Sequence, residues 1–148
     1  MVMCDYFSAS DDDAAVSVLD EPGGPDPSVF DVVSLKGIDP VVVMPRLESI
    51  LTGRTYDEAV GHPRSGKLLS SPEAESAFIV SVSDTLQEAL ASATHDSLRE
   101  AAGTWAGTDE LLASGIPSET AAQVAVQLAE LAGRARSAGH RLYCWWAL

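Results

Sequence analysis

The sequence predicts an α+β fold in a single compact domain that spans residues 1–148. Apolar segments with the composition of strands lie near both ends of the chain and in its middle, whereas helical periodicity dominates the second half. A length of 148 residues suits one domain, because domains commonly contain about 100–150 residues. The hydrophobic content of 46% supports a core without disulfide or metal. We therefore expect one small sheet that includes both terminal strands, with helices concentrated in the second half.

Four segments have the composition of strands. Val2–Ser8 opens the chain, and Val29–Leu35 follows a loop rich in Pro and Gly over Glu21–Ser28. Ala77–Ser83 lies in the middle. The last segment, His140–Leu148, contains two of the three Trp and one of the two Cys, which predicts a buried terminal strand. We expect the C-terminus to be built into the core, so that the chain is a complete small domain.

Helix signals in the first half come from caps and breakers. Ser8 or Ser10 is expected to cap a first helix, with Asp11–Asp13 in the first turn, where the helix dipole favours negative charge. A second helix is expected to begin at Pro45, as its first residue, and to end at Gly53.

The second half contains four predicted helices. Asp84 and Gln87 form a capping-box pattern before the first of them. Short helices are expected over Asp96–Ala102 and Asp109–Ser114, joined by a turn at Gly103–Gly107.

The last helix has the strongest helical pattern in the chain. It is expected to open at Pro117 and to stop at Gly139. Residues at helical spacing form its predicted buried stripe. These are Ala121, Val124, Ala125, Leu128, Ala132 and Ala135.

The net charge of −13 is concentrated in the first 35 residues, which contain eight acids and no base. An acidic surface repels phosphate backbones and anionic lipid, so nucleic acid and membrane are poor partners. A basic protein partner is electrostatically favourable, and plain solubility is the alternative interpretation. The eight acids are Asp5, Asp11, Asp12, Asp13, Asp20, Glu21, Asp26 and Asp31.

The compartment is predicted to be the cytoplasm. No positive charge precedes Lys36, so we expect no signal peptide. The longest apolar run, Val41–Met44, is far shorter than the ~18 residues of a membrane helix. Cys4 and Cys144 are expected to be reduced thiols, close together if the terminal strands pair. The three His lie far apart, so we expect neither a metal site nor a cofactor.

The segment 54–71 lacks sustained periodicity and is predicted to be a long loop, with a turn of helix near Tyr56–Val60. Gly61–Lys67 fits G-x-x-x-x-G-K, but Leu68 replaces the hydroxyl residue that a nucleotide-binding loop needs for magnesium. A flexible loop is the favoured interpretation. The alternative is an anion pocket formed by Arg54, Arg64 and Lys67.

The last strand alternates between two faces, with Tyr143 and Trp145 on one of them. These two rings are candidates for a pocket wall with Tyr6, and burial on both faces is the alternative. Trp105, in the Gly-flanked GTWAG segment, is either a partner anchor or a core residue. The candidate ligand-binding residues are therefore Arg54, Arg64, Lys67, Tyr143 and Trp145; no catalytic residue is predicted.

Taken in order, these segments resemble the YfbM-like family, a bacterial domain of unknown function. The features that carry the resemblance are the Met-rich opening strand Met1–Phe7, the helix end Ile50–Gly53, the helix Asp84–Ala93 directly after a strand, and Leu128–Leu131 in a long last helix that reaches Gly139. The resemblance implies a cytoplasmic α+β domain without assigned catalytic residues. It also implies an immunity or binding role beside bacterial toxin systems.

Two functions follow as hypotheses. The first is a non-enzymatic binding protein, an immunity-type partner of a basic protein, because the first 35 residues are acidic and catalytic spacing is missing. The second is a small-molecule binder or enzyme, with an anionic ligand held between the 54–67 loop and the C-terminal aromatic strand. It predicts that Arg64 or Lys67 faces Tyr143 or Trp145.

Overall fold

The computed structural model describes residues 2–148 and has one four-stranded antiparallel sheet in the order β2-β1-β4-β3. The strands are β1 (Met3–Ala9), β2 (Val32–Lys36), β3 (Ala77–Ser81) and β4 (Arg141–Ala147). The two terminal strands are paired at the centre of the sheet, along the whole length of β1. The predicted α+β class and the inclusion of both terminal strands in the sheet are confirmed.

Seven helices accompany the sheet in the described part of the chain, and four of them lie in its second half, as predicted. A short 3₁₀ turn over Ser17–Asp20 follows the first helix. The helices are α1 (Asp12–Val16), α2 (Val43–Thr52), α3 (Tyr56–Val60), α4 (Asp84–Ser92), α5 (His95–Ala106), α6 (Asp109–Ala113) and α7 (Ser118–Ala138).

Helix α1 is capped by Asp11 rather than by Ser8 or Ser10. The Asp11 carboxylate accepts a hydrogen bond from the Ala14 amide at 2.8 Å. Ser8 is not free to cap the helix because it lies inside β1. Only Asp12 and Asp13 therefore occupy the first turn of α1, where the helix dipole favours them.

Helix α2 begins at Val43, before the predicted start at Pro45, and ends at Gly53 as predicted. The Asp39 carboxylate accepts from the amides of Val41 and Val42, at 2.9 and 2.6 Å, and so orders the residues that lead into the helix. Pro45 is tolerated inside the first turn because the first four amides of a helix have no intrahelical acceptor.

Two predictions in the second half are wrong. Ser83, not Asp84, caps α4, and its hydroxyl accepts from the Leu86 amide at 3.1 Å. The Gln87 side chain instead donates to the His140 carbonyl at 2.9 Å. Helix α5 continues through the predicted turn at Gly103–Gly107 as far as Ala106, because burial of the last turn outweighs the low helix propensity of glycine.

The main core lies between the sheet and the helices. All six predicted residues of the α7 stripe are buried. They pack with Cys4, Tyr6 and Leu142 from the sheet and with Trp105 from α5. Trp105 is fully buried and its indole nitrogen donates to the Val43 carbonyl at 3.2 Å, so it is a core residue.

A smaller core covers the other side of the sheet, which we call the outer face. Phe7, Ile79 and Tyr143 lie there beneath the segment 11–30, whose Val18 and Phe30 pack onto them. Most of the last strand is thus enclosed on both sides. Tyr6 lies on the helix-facing side, so the predicted pocket wall that combines it with Tyr143 is wrong.

Cys4 and Cys144 are free thiols that are fully buried on the paired central strands β1 and β4. Burial raises the pKa of the Cys144 thiol. We expect both thiols of the native protein to react with a disulfide reagent at least about 10³-fold more slowly than in the unfolded chain, because reaction requires opening of the central strands. Absorbance of the released thiolate, with and without guanidinium chloride, measures this ratio. A native thiol that reacts at the unfolded rate would show that β1 and β4 separate locally.

Candidate functional site

The structure brings together two of the five predicted ligand-binding residues. The Arg64 guanidinium carbon lies 5.9 Å from the centroid of the Tyr143 ring. Trp145 follows Tyr143 on the same face and lies against Gly24, where an added Cβ would come within 2.9 Å of the indole ring. Arg54 and Lys67 have exposed side chains, and their backbone carbonyls accept from the Ser49 hydroxyl and the Ser81 amide.

Arg64 belongs to an ionic cluster at the end of the sheet where β1 stops and β4 begins. Its guanidinium makes two hydrogen bonds to the Asp12 carboxylate, at 2.9 and 3.2 Å. The Tyr143 hydroxyl donates to the same carboxylate at 2.8 Å. Arg141 and Asp84 extend the cluster with a contact of 3.3 Å. These five residues, Asp12, Arg64, Asp84, Arg141 and Tyr143, are called the ionic cluster below.

The electrostatics of the cluster follow from these contacts. Hydrogen bonds from Arg64, and then from Tyr143, hold the pKa of Asp12 below its usual range. Pairing with Asp12 raises the pKa of Arg64, whose side chain is only 15% exposed. Burial, followed by the hydrogen bond to Asp12, raises the pKa of Tyr143. At neutral pH the cluster therefore contains an ionised Asp12, a charged Arg64 and a neutral Tyr143.

The loop Gly61–Lys67 is held in place by backbone contacts. The Ser81 hydroxyl donates to the Arg64 carbonyl at 2.6 Å, and the Arg64 amide donates to Nδ1 of His62 at 3.1 Å. The loop follows α3 and leads into Leu68, which forms an antiparallel bridge with Val80. A phosphate-binding loop needs the reverse arrangement, with a strand before it and a helix after it. The G-x-x-x-x-G-K pattern is therefore a structural loop here.

An open cavity of about 460 Å³ adjoins the ionic cluster. Its lining contains three carboxylates and one guanidinium, which favours a cation over an anion. The Arg64 charge is already offset by Asp12, so it adds little to an anion site. The lining residues are Ser10, Asp11, Asp12, Asp13, Gly139 and Arg141.

Next to this cavity, the segment that covers the outer face presents exposed carboxylates, which we call the acidic surface. They are Asp11, Asp13, Asp20, Glu21 and Asp26. Within residues 2–148, none of the five lies within 4 Å of a cationic side chain. Five of the seven arginines are paired with carboxylates that do not belong to the acidic surface. These pairings do not neutralise the five carboxylates of the acidic surface.

Glu48 is a buried charged residue that sequence analysis missed. It is only 1% exposed and accepts hydrogen bonds from the hydroxyls of Ser83 and Thr85, the latter at 2.8 Å. The available signal was its position on the apolar face of α2, one residue after Leu47 and four after Met44. Because Ser83 caps α4, this contact joins α2 to the start of α4.

Comparisons of the chain with protein-family models, curated proteins and solved structures found no match. The resemblance to the YfbM-like family therefore stays a prediction from the motifs quoted above. Across the described residues, no helix combines the length and apolar character needed to cross a membrane. The same residues contain no group of three or more His, Cys, Asp or Glu placed to hold a metal ion. The acidic surface and the ionic cluster are the features that bear on function.

Proposed function

We propose that this protein is a non-enzymatic binding protein whose acidic surface docks a basic protein partner, in an immunity-type role. One observation carries the proposal: the segment 11–28 is packed onto the outer face of the sheet while five of its carboxylates remain exposed and, among the described residues, without a cation. Buried Ala15 and Val18 anchor this segment. The charges are thus presented on an ordered surface, which lowers the entropic cost of binding.

The Asp26 contacts show how charge is held on this surface. Its carboxylate accepts from the Ser28 amide at 2.9 Å and from the Ser28 hydroxyl at 2.8 Å, and these two bonds lower the pKa of Asp26. Asp11 is fixed in a similar way as the cap of α1. Local hydrogen bonds therefore orient two of the five carboxylates without neutralising them.

An unneutralised acidic surface has a defined effect on binding. It steers a basic partner toward it and accelerates association, and dissolved salt screens the attraction. The proposal therefore predicts an affinity that falls steeply as ionic strength rises.

The alternative hypothesis of an anion pocket has less support. Arg64 does face Tyr143, but its guanidinium is engaged by Asp12, with Asp84 at 3.9 Å. An anion would have to compete with these carboxylates for the same donors. The geometry next to Asp12 is better suited to a basic side chain of a partner protein.

A charge-neutralised variant tests the proposal. Proteins retained on the immobilised wild-type protein from source-cell lysate would be purified, and their Kd measured for each variant. We expect the neutralised variant to bind at least about tenfold more weakly and with a smaller salt dependence. Asn and Gln preserve side-chain shape, and Asn still caps a helix. The substitutions are Asp11→Asn, Asp13→Asn, Asp20→Asn, Glu21→Gln and Asp26→Asn.

A control variant loses the same number of charges from exposed acids outside the acidic surface, so that both variants carry the same net charge. It should bind like the wild type. Equal weakening of both variants would show that overall charge, and not this surface, attracts the partner. Wild-type affinity in the neutralised variant would refute the proposal. The control substitutions are Glu73→Gln, Glu75→Gln, Asp96→Asn, Glu100→Gln and Glu119→Gln.

A further inference from the structure

Asp5 is a buried carboxylate on the outer face of the sheet that the ionic cluster does not use. It lies in the central strand β1 and is only 7% exposed. Its Oδ1 atom is buried and has no hydrogen-bond partner among the described residues. A buried polar atom without a partner destabilises the folded state, so this position is poorly suited to stability.

The neighbours of Asp5 on the same face are known from the strand register. Ser34 of β2 and Trp145 of β4 lie directly opposite Asp5 on its two sides. Met3 precedes it on that face, opposite Lys36. Desolvation raises the pKa of Asp5, and the Ser34 hydroxyl partly offsets this effect.

The acidic surface adjoins this position through Trp145. Gly24, which lies between the acidic residues Glu21 and Asp26, packs against the indole ring so closely that a Cβ there would clash. Trp145 itself is half-buried. A carboxylate and an indole face side by side are the two groups that bind a guanidinium, the first by paired hydrogen bonds and the second by stacking.

We propose that Asp5 and Trp145 form an anchor site for one arginine side chain of the basic partner. The inference rests on the proposed function, because it assigns a specific contact within the same docking surface. The guanidinium would donate hydrogen bonds to the Asp5 carboxylate, whose Oδ1 lacks a partner, and would lie against the part of the half-buried Trp145 ring that Gly24 does not cover. Lys36 is the one cationic side chain on the neighbouring strand β2, and it does not lie within 4 Å of the Asp5 carboxylate.

The test uses the protein without its partner and a defined probe. N-acetylarginine amide is titrated into the wild type while the indole N–H signal of Trp145 is followed by NMR. The matched control probe is N-acetylcitrulline amide, which has a similar shape but no charge. We expect a saturable shift with the arginine probe, and at least about tenfold weaker binding of the citrulline probe.

Three variants make the result specific to Asp5. Asp5→Asn should weaken binding of the arginine probe at least about tenfold while the melting temperature stays equal or rises, since a buried charge is removed. Lys36→Gln should tighten binding, because a cation on the same face of the sheet, which repels the positively charged probe, is lost. Glu100→Gln, which removes an exposed carboxylate on α5, outside the acidic surface, should leave probe binding within about twofold of the wild type.

The outcomes separate the anchor site from the proposed function. The anchor site is overturned if the Trp145 signal shows no saturable shift, if citrulline binds equally well, or if Asp5→Asn binds the probe like the wild type. None of these results bears on the partner-binding experiment, in which Asp5 is unchanged. Conversely, a partner that binds the charge-neutralised variant as tightly as the wild type would refute the proposed function, while the probe titration would still report on Asp5.

Discussion

Replacing Trp105 with alanine is expected to lower the free energy of unfolding by about 3–5 kcal/mol. Trp105 is a fully buried side chain in the main core, and its indole nitrogen donates to the Val43 carbonyl at 3.2 Å. Alanine would leave a large cavity in the main core and would remove the hydrogen bond that joins α5 to the start of α2. Urea denaturation followed by circular dichroism measures the change.

The control for this prediction is Leu112→Ala in the neighbouring helix α6. Leu112 is 62% exposed, so its truncation should change the free energy of unfolding by less than about 0.5 kcal/mol. A loss below about 1 kcal/mol for Trp105→Ala would contradict the assignment of Trp105 to the core. It would then reopen the hypothesis that this residue anchors a partner.

Replacing Arg64 with alanine is expected to lower the free energy of unfolding by about 2 kcal/mol. The substitution removes two hydrogen bonds to Asp12 and the contact with the Tyr143 ring, and it leaves the Asp12 carboxylate without its cation. We expect a smaller loss of stability than for a fully buried ion pair, because the Asp12 side chain is 43% exposed and water partly screens its charge.

The effect of Arg64→Ala should depend on pH with a defined sign. Arg64 lowers the pKa of Asp12 below its ordinary value, so the folded state favours the ionised carboxylate. This contribution is complete above the unfolded pKa and is lost as pH falls through the folded pKa. The difference in stability between wild type and Arg64→Ala should therefore be largest near neutral pH and should shrink below about pH 4.

Two comparisons complete the Arg64 experiment. Arg64→Lys retains the charge but not the paired hydrogen bonds, so it should recover only part of the lost stability. Arg54→Ala, at an exposed arginine in the same loop region, should change stability by less than about 0.5 kcal/mol. If Arg64→Ala were as stable as Arg54→Ala, the ionic cluster would make no net contribution to the fold.

Both predictions bear on function because they separate residues that hold the fold from residues available to a partner. Trp105 and the ionic cluster are engaged within the protein, whereas the acidic surface is exposed and ordered. A loss of partner binding in the neutralised variant, without loss of stability, would therefore be attributed to the surface itself. Asp5 is expected to differ from Trp105 and Arg64. Removal of its charge should favour folding and should weaken binding of the arginine probe.

The elements that were predicted well are those whose signals are local. The composition of His140–Leu148 indicated a buried strand, and β4 lies at the centre of the sheet. The stripe on α7 repeats at helical spacing, and all its predicted residues are buried. Helix ends at Gly53 and Gly139 were also found, because glycine at these positions adopts the left-handed conformation that closes a helix.

The errors arose where two local signals compete. Ser8, Ser10 and Asp11 are all good helix caps, and pairing of β1 with its neighbours removes Ser8 from the choice. Glycine at position 103 indicated a turn, but the buried face of α5 keeps the helix intact through it. In both cases a long-range contact, which no local window contains, selects between alternatives of similar energy.

Composition and periodicity were sufficient for the fold class, the inclusion of both chain ends in the sheet, the buried stripe of α7 and the acidic character of the first 35 residues. They were insufficient for the pairing of charges, because an arginine pairs with the carboxylate that folding places beside it. Arg64 pairs with Asp12, 52 residues away in the chain. The buried Glu48 likewise accepts a hydrogen bond from Ser83, 35 residues away. Such contacts form only after helices and strands have packed, so the ionic cluster and the environment of Asp5 are properties of the tertiary structure.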